Sequence, residues 1–246
     1  MKSGARILFV WGSESNMTKG FTQTITEQWK EKHFGKEIKV LDVYQGDDLS
    51  EVWEEKVTTD NYDFVLVATS SFAEGDPPSG FGRFLYKLQE AARKEKQDQL
   101  LKSNTEPPFL KGMQHAVLGV GNTQYDTFQN IPRHVDMYLG ECGSRRCKQR
   151  LEWDEMDNSE SDILQWASEM LAIILKDNKA DDDDDTVEAS KPNVCSWKEP
   201  ASELYEKIVN EDGWEGPNTR TQTEISPLMM VLGLVVIVAA CWYNKS

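Results

Sequence analysis

Short apolar runs alternate with longer amphipathic stretches over residues 5–175 of the chain. A short run of apolar residues with no polar alternation is typical of a strand that is buried on both faces of a sheet. Four such runs predict strands, and a weaker fifth follows them. They lie at residues 7–10, 38–41, 64–67 and 116–118, with the fifth at 148–153.

Helical periodicity fills the intervals between these runs. It predicts helices at about residues 18–32, 80–95, 127–141 and 159–175. A strand followed by a helix, repeated along the chain, builds a parallel sheet with right-handed crossover connections. The sequence therefore predicts an α/β domain over residues 1–175.

A polar linker is predicted at residues 176–224. It opens with five consecutive aspartates at 181–185 and contains Pro192, Pro200 and Pro217. Such a charge block repels itself and favours an extended chain. Residues 200–209 alternatively form a short amphipathic helix that docks on the domain or on a membrane surface.

A membrane span is predicted at residues 225–243, which carry no charged side chain. At a rise of about 1.5 Å per residue, a helix of this length covers most of a hydrocarbon core about 30 Å thick. A buried core helix is the alternative. The amino terminus lacks a signal peptide, so we expect a tail-anchored protein with a cytosolic domain. Lys245 favours the endoplasmic reticulum over the mitochondrial outer membrane.

The composition argues against two classes of function. Forty-two acidic residues outnumber 27 basic ones, which gives a formal charge of −15 and disfavours nucleic-acid binding by phosphate neutralisation. The four cysteines and three histidines show no metal-ligand spacing, so no metal site is predicted. The serine, histidine and aspartate residues form no recognisable nucleophilic motif, so no catalytic side chain is predicted.

Three predicted loops carry the candidate chemistry, because ligands bind beyond the carboxyl ends of parallel strands. The first, residues 12–18, is rich in hydroxyls and precedes a helix, an arrangement that suits an anion. A simple helix cap is the alternative. The loops at 69–78 and 119–128 contain Phe72 and Tyr125, which suit a flat heteroaromatic ring sandwiched between them. Each aromatic alone is more often a packing residue.

Residues 12–15, 70–78 and 118–128 resemble, in order, the phosphate loop and the two ring loops of the flavodoxin-like FMN domain of diflavin reductases. That family includes nitric oxide synthase, the haemoprotein reductases and the sulfite reductase flavoprotein. The resemblance covers about residues 5–175. It implies a five-stranded parallel sheet in the order 2-1-3-4-5, helices on both faces, and FMN as the cofactor.

The resemblance also assigns roles to residues. It implies that Ser13, Ser15 and Thr18, with the amides of Glu14, Asn16 and Met17, hold the FMN phosphate. Phe72 and Tyr125 would stack on the two faces of the ring, and Asp154 or Glu155 would approach from the loop after the fifth strand. The remaining implied contacts line the edge of the ring: Ser70, Ser71, Ala73, Val120, Gly121, Asn122, Thr127 and Phe128.

Two positions depart from the family pattern. Asn16 and Ala73 stand where the family usually has glycine. Asparagine tolerates a left-handed backbone less freely than glycine, so weaker FMN binding is expected. The family's glycine after the stacking aromatic turns its carbonyl towards the reduced flavin. If that turn needs a positive φ, Ala73 adds about 1 kcal/mol, and a less stabilised semiquinone is expected.

The function expected from these features is that of a membrane-anchored FMN electron carrier. Diflavin reductases continue into an FAD and NADPH module that residues 176–246 do not supply. We therefore expect a separate NAD(P)H-dependent reductase as donor and a haem or other redox enzyme as acceptor. Acidic residues near the ring would dock these partners: Glu74, Asp76, Asp126, Asp154, Glu155 and Asp157. The alternatives are an FMN-dependent quinone-type reductase and a flavin-free, non-redox membrane adaptor.

Overall fold

The computed structural model describes residues 4–101 and 107–179. Within them, a parallel sheet lies between two layers of helices. The strands run in the order β2-β1-β3-β4, and both β5 and β6 pair with β4, so the predicted order 2-1-3-4-5 is confirmed. The strands are Ala5–Trp11 (β1), Ile38–Gln45 (β2), Phe64–Ser70 (β3), Gln114–Gly121 (β4), Arg145–Arg146 (β5) and Leu151–Asp154 (β6).

The predicted fifth strand is split into two short segments. β5 pairs with the start of β4, and β6 pairs with its end, where Gly121 is opposite Asp154. Side chains between them leave the strand pattern: Lys148 forms an ion pair with Glu169 at 2.6 Å. Residues 148–150, between the two segments, are polar or charged. The strand predicted at 148–153 therefore corresponds only to β6, which begins at Leu151.

The helices are Met17–His33 (α1), Gly46–Glu51 (α2), Trp53–Lys56 (α3), Gly82–Leu101 (α4), Asn130–Glu141 (α5) and Glu160–Lys179 (α6). The short helices α2 and α3 were not predicted, since six and four residues are too few to show a 3.6-residue period. Helix α5 begins at Asn130 rather than at Thr127. The residues before Asn130 instead complete the loop after β4.

Two hydrophobic clusters cover the two faces of the sheet. Successive side chains of a strand point to opposite faces. In β1, Leu8 and Val10 therefore join the cluster that includes Phe84 of α4, whereas Ile7 and Phe9 join the other, which includes Trp29 of α1. This two-sided burial explains why the strands are continuous apolar runs.

A buried polar network fixes α5 to β4 and to the split fifth strand. His115 of β4 contacts Ser144 Oγ through Nδ1 at 2.9 Å and Asp136 Oδ1 through Nε2 at 3.2 Å. Asp136, in α5, also accepts hydrogen bonds from Arg146 Nε at 2.8 Å and from Arg150. Although serine, histidine and aspartate meet here, all three side chains are buried, so the network is structural.

The network sets the protonation states of its members. Burial lowers the pKa of His115, which keeps the imidazole neutral, although the bond to Asp136 opposes this shift. Burial alone would raise the pKa of Asp136. The hydrogen bond from His115 and the charges of Arg150 and Arg146 outweigh it and lower that pKa to about 2.

The predicted membrane span at 225–243 and most of the predicted linker lie outside the described residues. In the part of the chain that the structure describes, no helix is both long enough and apolar enough to cross a bilayer.

Candidate functional site

The loop after β1 presents a buried oxygen next to an open helix end. Ser13 is buried, and within the described residues its Oγ has no hydrogen-bond partner. The first N–H groups of a helix lack intrahelical acceptors, and the Asn16 side chain does not cap those of α1. With the positive end of the helix dipole, these groups form a site for an anion such as a phosphate.

Asn16 adopts a left-handed backbone, with φ of 65°. Asparagine is one of the few residues other than glycine that enters this region readily. The structure thus explains how the phosphate loop keeps its turn without the glycine that the resemblance leads one to expect. Thr18 is buried, and its carbonyl accepts a hydrogen bond from Thr22 Oγ1 at 2.9 Å, which fixes the first turn of α1.

The side chain of Glu14 links this loop to the loop after β3. Its Oε2 accepts a hydrogen bond from the Ser79 amide at 2.7 Å. That bond lowers the pKa of Glu14. Ser79 was not predicted as part of the site, since nothing in its own sequence context signals a contact 65 residues away.

The loop after β3 carries Phe72 in a tight turn. The Phe72 amide donates to the Asp76 carbonyl at 2.9 Å, and the Asp76 amide donates to the Phe72 carbonyl at 2.8 Å. Ala73 has φ of 45° and Gly75 has φ of 95°. The turn therefore requires a positive φ at Ala73, where the family usually has glycine. It leaves the Phe72 side chain 47% exposed.

The loop after β4 carries the second exposed aromatic. Asn122 Oδ1 accepts a hydrogen bond from the Gln124 amide at 2.9 Å, and its carbonyl accepts one from the Tyr125 amide at 3.1 Å. Tyr125 is 67% exposed. A Cβ at Gly121 would lie 2.8 Å from the Phe128 ring, so only glycine allows this ring to pack on the end of β4.

Asp154 and Glu155 have different roles. Asp154 is buried, and its carboxylate accepts hydrogen bonds from Thr123 Oγ1 at 2.6 Å and from the Met156 amide at 3.0 Å. The Thr123 bond lowers the pKa of Asp154. Asp154 thus ties two loops together, whereas Glu155 is exposed and its Oε2 accepts from Asn122 Nδ2 at 3.3 Å.

The other residues predicted to contact FMN lie either in the core or at the surface of the site. The Val120 side chain is buried in the core, so only its backbone borders the site. Met17 also packs against the core. Ser15 is exposed, and Ser70 ends β3. The hydroxyl of Ser71 accepts a hydrogen bond from the Ile131 amide at 3.0 Å.

The residues present fit FMN. A phosphate requires hydrogen-bond donors, which the buried Ser13 hydroxyl and the uncapped start of α1 supply. A flat ring requires apolar faces, which the exposed Phe72 and Tyr125 supply on neighbouring loops. Hydrogen bonds connect each of these loops to the next, so the groups lie at one edge of the sheet.

Comparisons with known proteins agree with this assignment. The flavodoxin family model matches residues 10–166. A bifunctional cytochrome P450/NADPH–P450 reductase from Bacillus cereus is 34% identical over 113 residues, which are 46% of this chain and 9% of that protein. An NADPH–cytochrome P450 reductase from Dictyostelium discoideum is 24% identical over 178 residues, 71% of this chain and 23% of that protein.

Among solved structures, oxidised flavodoxin 1 from Bacillus cereus aligns with a TM-score of 0.47 and 18% identity, covering 68% of this chain and 97% of that one. The chain spans less than a quarter of the length of the two reductases.

Proposed function

Because the chain belongs to the flavodoxin family, we propose that it is a membrane-anchored FMN electron carrier. It accepts electrons from a separate NAD(P)H-dependent reductase and passes them to a haem or other redox enzyme. The observation that carries the proposal is the cradle of connected loops, which offers Ser13 to a phosphate and Phe72 and Tyr125 to a ring. FMN itself supplies the redox chemistry.

The chain's own residues bind and orient the cofactor. Ser13 and the start of α1 hold the phosphate, and the two aromatics exclude water from the ring faces. Asp154 contributes indirectly: it accepts a hydrogen bond from Thr123 and so fixes the loop that carries Tyr125. In this account no side chain transfers a proton, so the protein's task is to position the flavin near the surface.

An acidic rim surrounds the cradle and favours partners with basic faces. We define the rim as five exposed acids on the loops after β3, β4 and β6: Glu74, Asp76, Asp126, Glu155 and Asp157. Asp154 was also predicted to dock partners, but the rim does not include it because its carboxylate is buried and hydrogen-bonded to Thr123. Complementary charge speeds encounter and fixes orientation without requiring a tight complex.

The carrier function is tested by mixing the FMN-loaded full-length chain with NADPH, alone and then with an FAD-containing NADPH-dependent reductase. We expect flavin reduction only with the reductase. Neutralising two rim charges, Glu74→Gln with Asp126→Asn, is expected to slow that transfer about three- to tenfold at low salt, because electrostatic steering is lost. The difference should disappear near 1 M salt, where the screening length is about 3 Å.

The matched control is Glu27→Gln with Glu31→Gln, two exposed acids on α1 away from the rim. It should leave the transfer rate unchanged. Rapid reduction by NADPH alone would contradict the carrier function and favour the quinone-type reductase. Equal slowing by both charge variants would contradict docking at the rim.

The membrane part of the proposal depends on the uncharged residues 225–243. We propose that they anchor the chain by its carboxyl-terminal tail, with the flavin domain in the cytosol and the endoplasmic reticulum favoured. The full-length chain should therefore float with phosphatidylcholine vesicles in a density gradient, whereas a chain ending at Glu224 should remain at the bottom. Equal flotation of both chains would contradict anchoring by this segment.

A further inference from the structure

Three hydrogen bonds join the turn that carries Phe72 to the segment that follows Tyr125. Thr127 Oγ1 donates to the Ala73 carbonyl at 3.0 Å, Asn130 Nδ2 donates to the Gly75 carbonyl at 2.9 Å, and the Ile131 amide donates to Ser71 Oγ at 3.0 Å. We call these three bonds the loop bridge. Its bonds reach both neighbours of Phe72, the residues whose backbones set the direction of that ring.

The bonds of the loop bridge differ in their surroundings. The Asn130 bond is buried, and the Ile131 bond is partly buried, so both belong to the packed start of α5. The Thr127 bond is exposed. Thr127 also lies two residues after Tyr125, whose carbonyl accepts a hydrogen bond from the Phe128 amide at 3.0 Å. The Thr127 bond is therefore the member of the bridge that lies next to both stacking residues.

The backbone at Ala73 needs such support. Its φ of 45° lies in the left-handed region, which a residue with a Cβ enters only at a cost. Conformations of this kind persist when surrounding bonds hold them. The Thr127 hydroxyl holds the carbonyl of this same residue, so it opposes relaxation of the turn.

We propose that Thr127 is a positioning residue for FMN: its hydroxyl fixes the Ala73 peptide, and hence the Phe72 turn, relative to Tyr125 before the cofactor arrives. The inference rests on FMN binding at this site. A preorganised pair of stacking rings binds more tightly than a mobile pair, since less ordering remains to be done on binding. Thr127 thus contributes to affinity through Ala73.

The test uses the full-length chain with Thr127→Val, which keeps the shape of the side chain and removes the hydroxyl, and Thr127→Ser, which keeps the hydroxyl. In a titration with FMN followed by flavin fluorescence, Thr127→Val should weaken binding about fivefold, the typical value of one hydrogen bond. Thr127→Ser should stay within about twofold of the unmodified chain. Thr127→Ala, which only removes atoms, should behave as Thr127→Val does.

Amide hydrogen exchange of the flavin-free protein gives a second readout. The amides of Phe72, Gly75 and Asp76, which are hydrogen-bonded within the turn, should exchange faster in Thr127→Val. Their exchange should be unchanged in Thr127→Ser, and α4 and α6 should keep their protection in both variants. Equal FMN affinity and equal exchange in all variants would overturn the inference, as would a Thr127→Ser variant as weak as Thr127→Val. If the unmodified chain bound no FMN, the proposed function would fail, and the exchange rates would still decide whether Thr127 holds the turn.

Discussion

Replacing Phe72 and Tyr125 together with alanine is expected to weaken FMN binding by about 30-fold or more. Stacking of a flat base on an aromatic side chain contributes roughly 1–3 kcal/mol for each contact, and this site offers one aromatic on each loop. Both rings are exposed, at 47% and 67%, so the core does not need them for packing. Each single variant should bind FMN roughly 5- to 150-fold more weakly, as measured by quenching of flavin fluorescence.

Phe34→Ala provides the matched control. Phe34 is 50% exposed, much like Phe72, but it caps the carboxyl end of α1 and so lies at the opposite edge of the sheet from the loops. Its removal should not change the dissociation constant for FMN. If the double variant bound FMN as tightly as Phe34→Ala does, the two aromatics would not sandwich the ring.

Replacing Asp136 with asparagine is expected to lower the free energy of unfolding by about 3–5 kcal/mol. The Asp136 carboxylate is buried and accepts hydrogen bonds from His115, Arg146 and Arg150. Removing its charge takes a buried counter-charge from Arg146 and Arg150, although Arg150 keeps its ion pair with Glu152. This costs far more than the loss of a surface ion pair. Urea unfolding measures the change. Asp48→Asn, at an exposed acid of α2, should stay within about 0.5 kcal/mol.

The same network predicts how stability depends on pH. A carboxyl with a pKa of about 2 when folded, against an ordinary value of 3.8, stabilises the fold fully above pH 4 and loses that contribution as pH falls towards 2. The difference corresponds to about 2 kcal/mol. Asp136→Asn should lack this part of the acid destabilisation. A variant whose stability fell between pH 4 and pH 2 as steeply as that of the unmodified chain would contradict the account.

The pattern of apolar residues predicted the sheet well because burial on both faces leaves an unmistakable signal. Val65 and Leu66 are adjacent in sequence and enter opposite clusters, so neither can be polar. The pattern could not reveal α2 and α3, whose few turns are held by contacts from elsewhere. Asp47, for example, accepts a hydrogen bond from the Arg83 amide at 2.7 Å, 36 residues away.

In the site too, features carried by a short sequence segment could be predicted, whereas contacts between residues far apart in the sequence could not. The segments that carry Ser13, Phe72 and Tyr125 could be selected from the sequence because each directly follows a predicted strand and is distinctive in composition; their roles in binding FMN stay predictions. The residues that hold the loops together could not: Thr123 bonds to Asp154 across 31 residues, and Asn130 bonds to Gly75 across 55. Asp154 illustrates the consequence. Its position near the predicted loops was expected from the sequence, whereas its hydrogen bonds with Thr123 could be seen only in the structure.

The measurement that tests the central claim most directly is the visible absorption spectrum of the full-length chain, purified in detergent and titrated with FMN. We expect flavin bands that remain with the protein on gel filtration, together with flavin fluorescence that is quenched by Phe72 and Tyr125. A folded protein that retains no flavin and leaves the fluorescence of added FMN unchanged would contradict it.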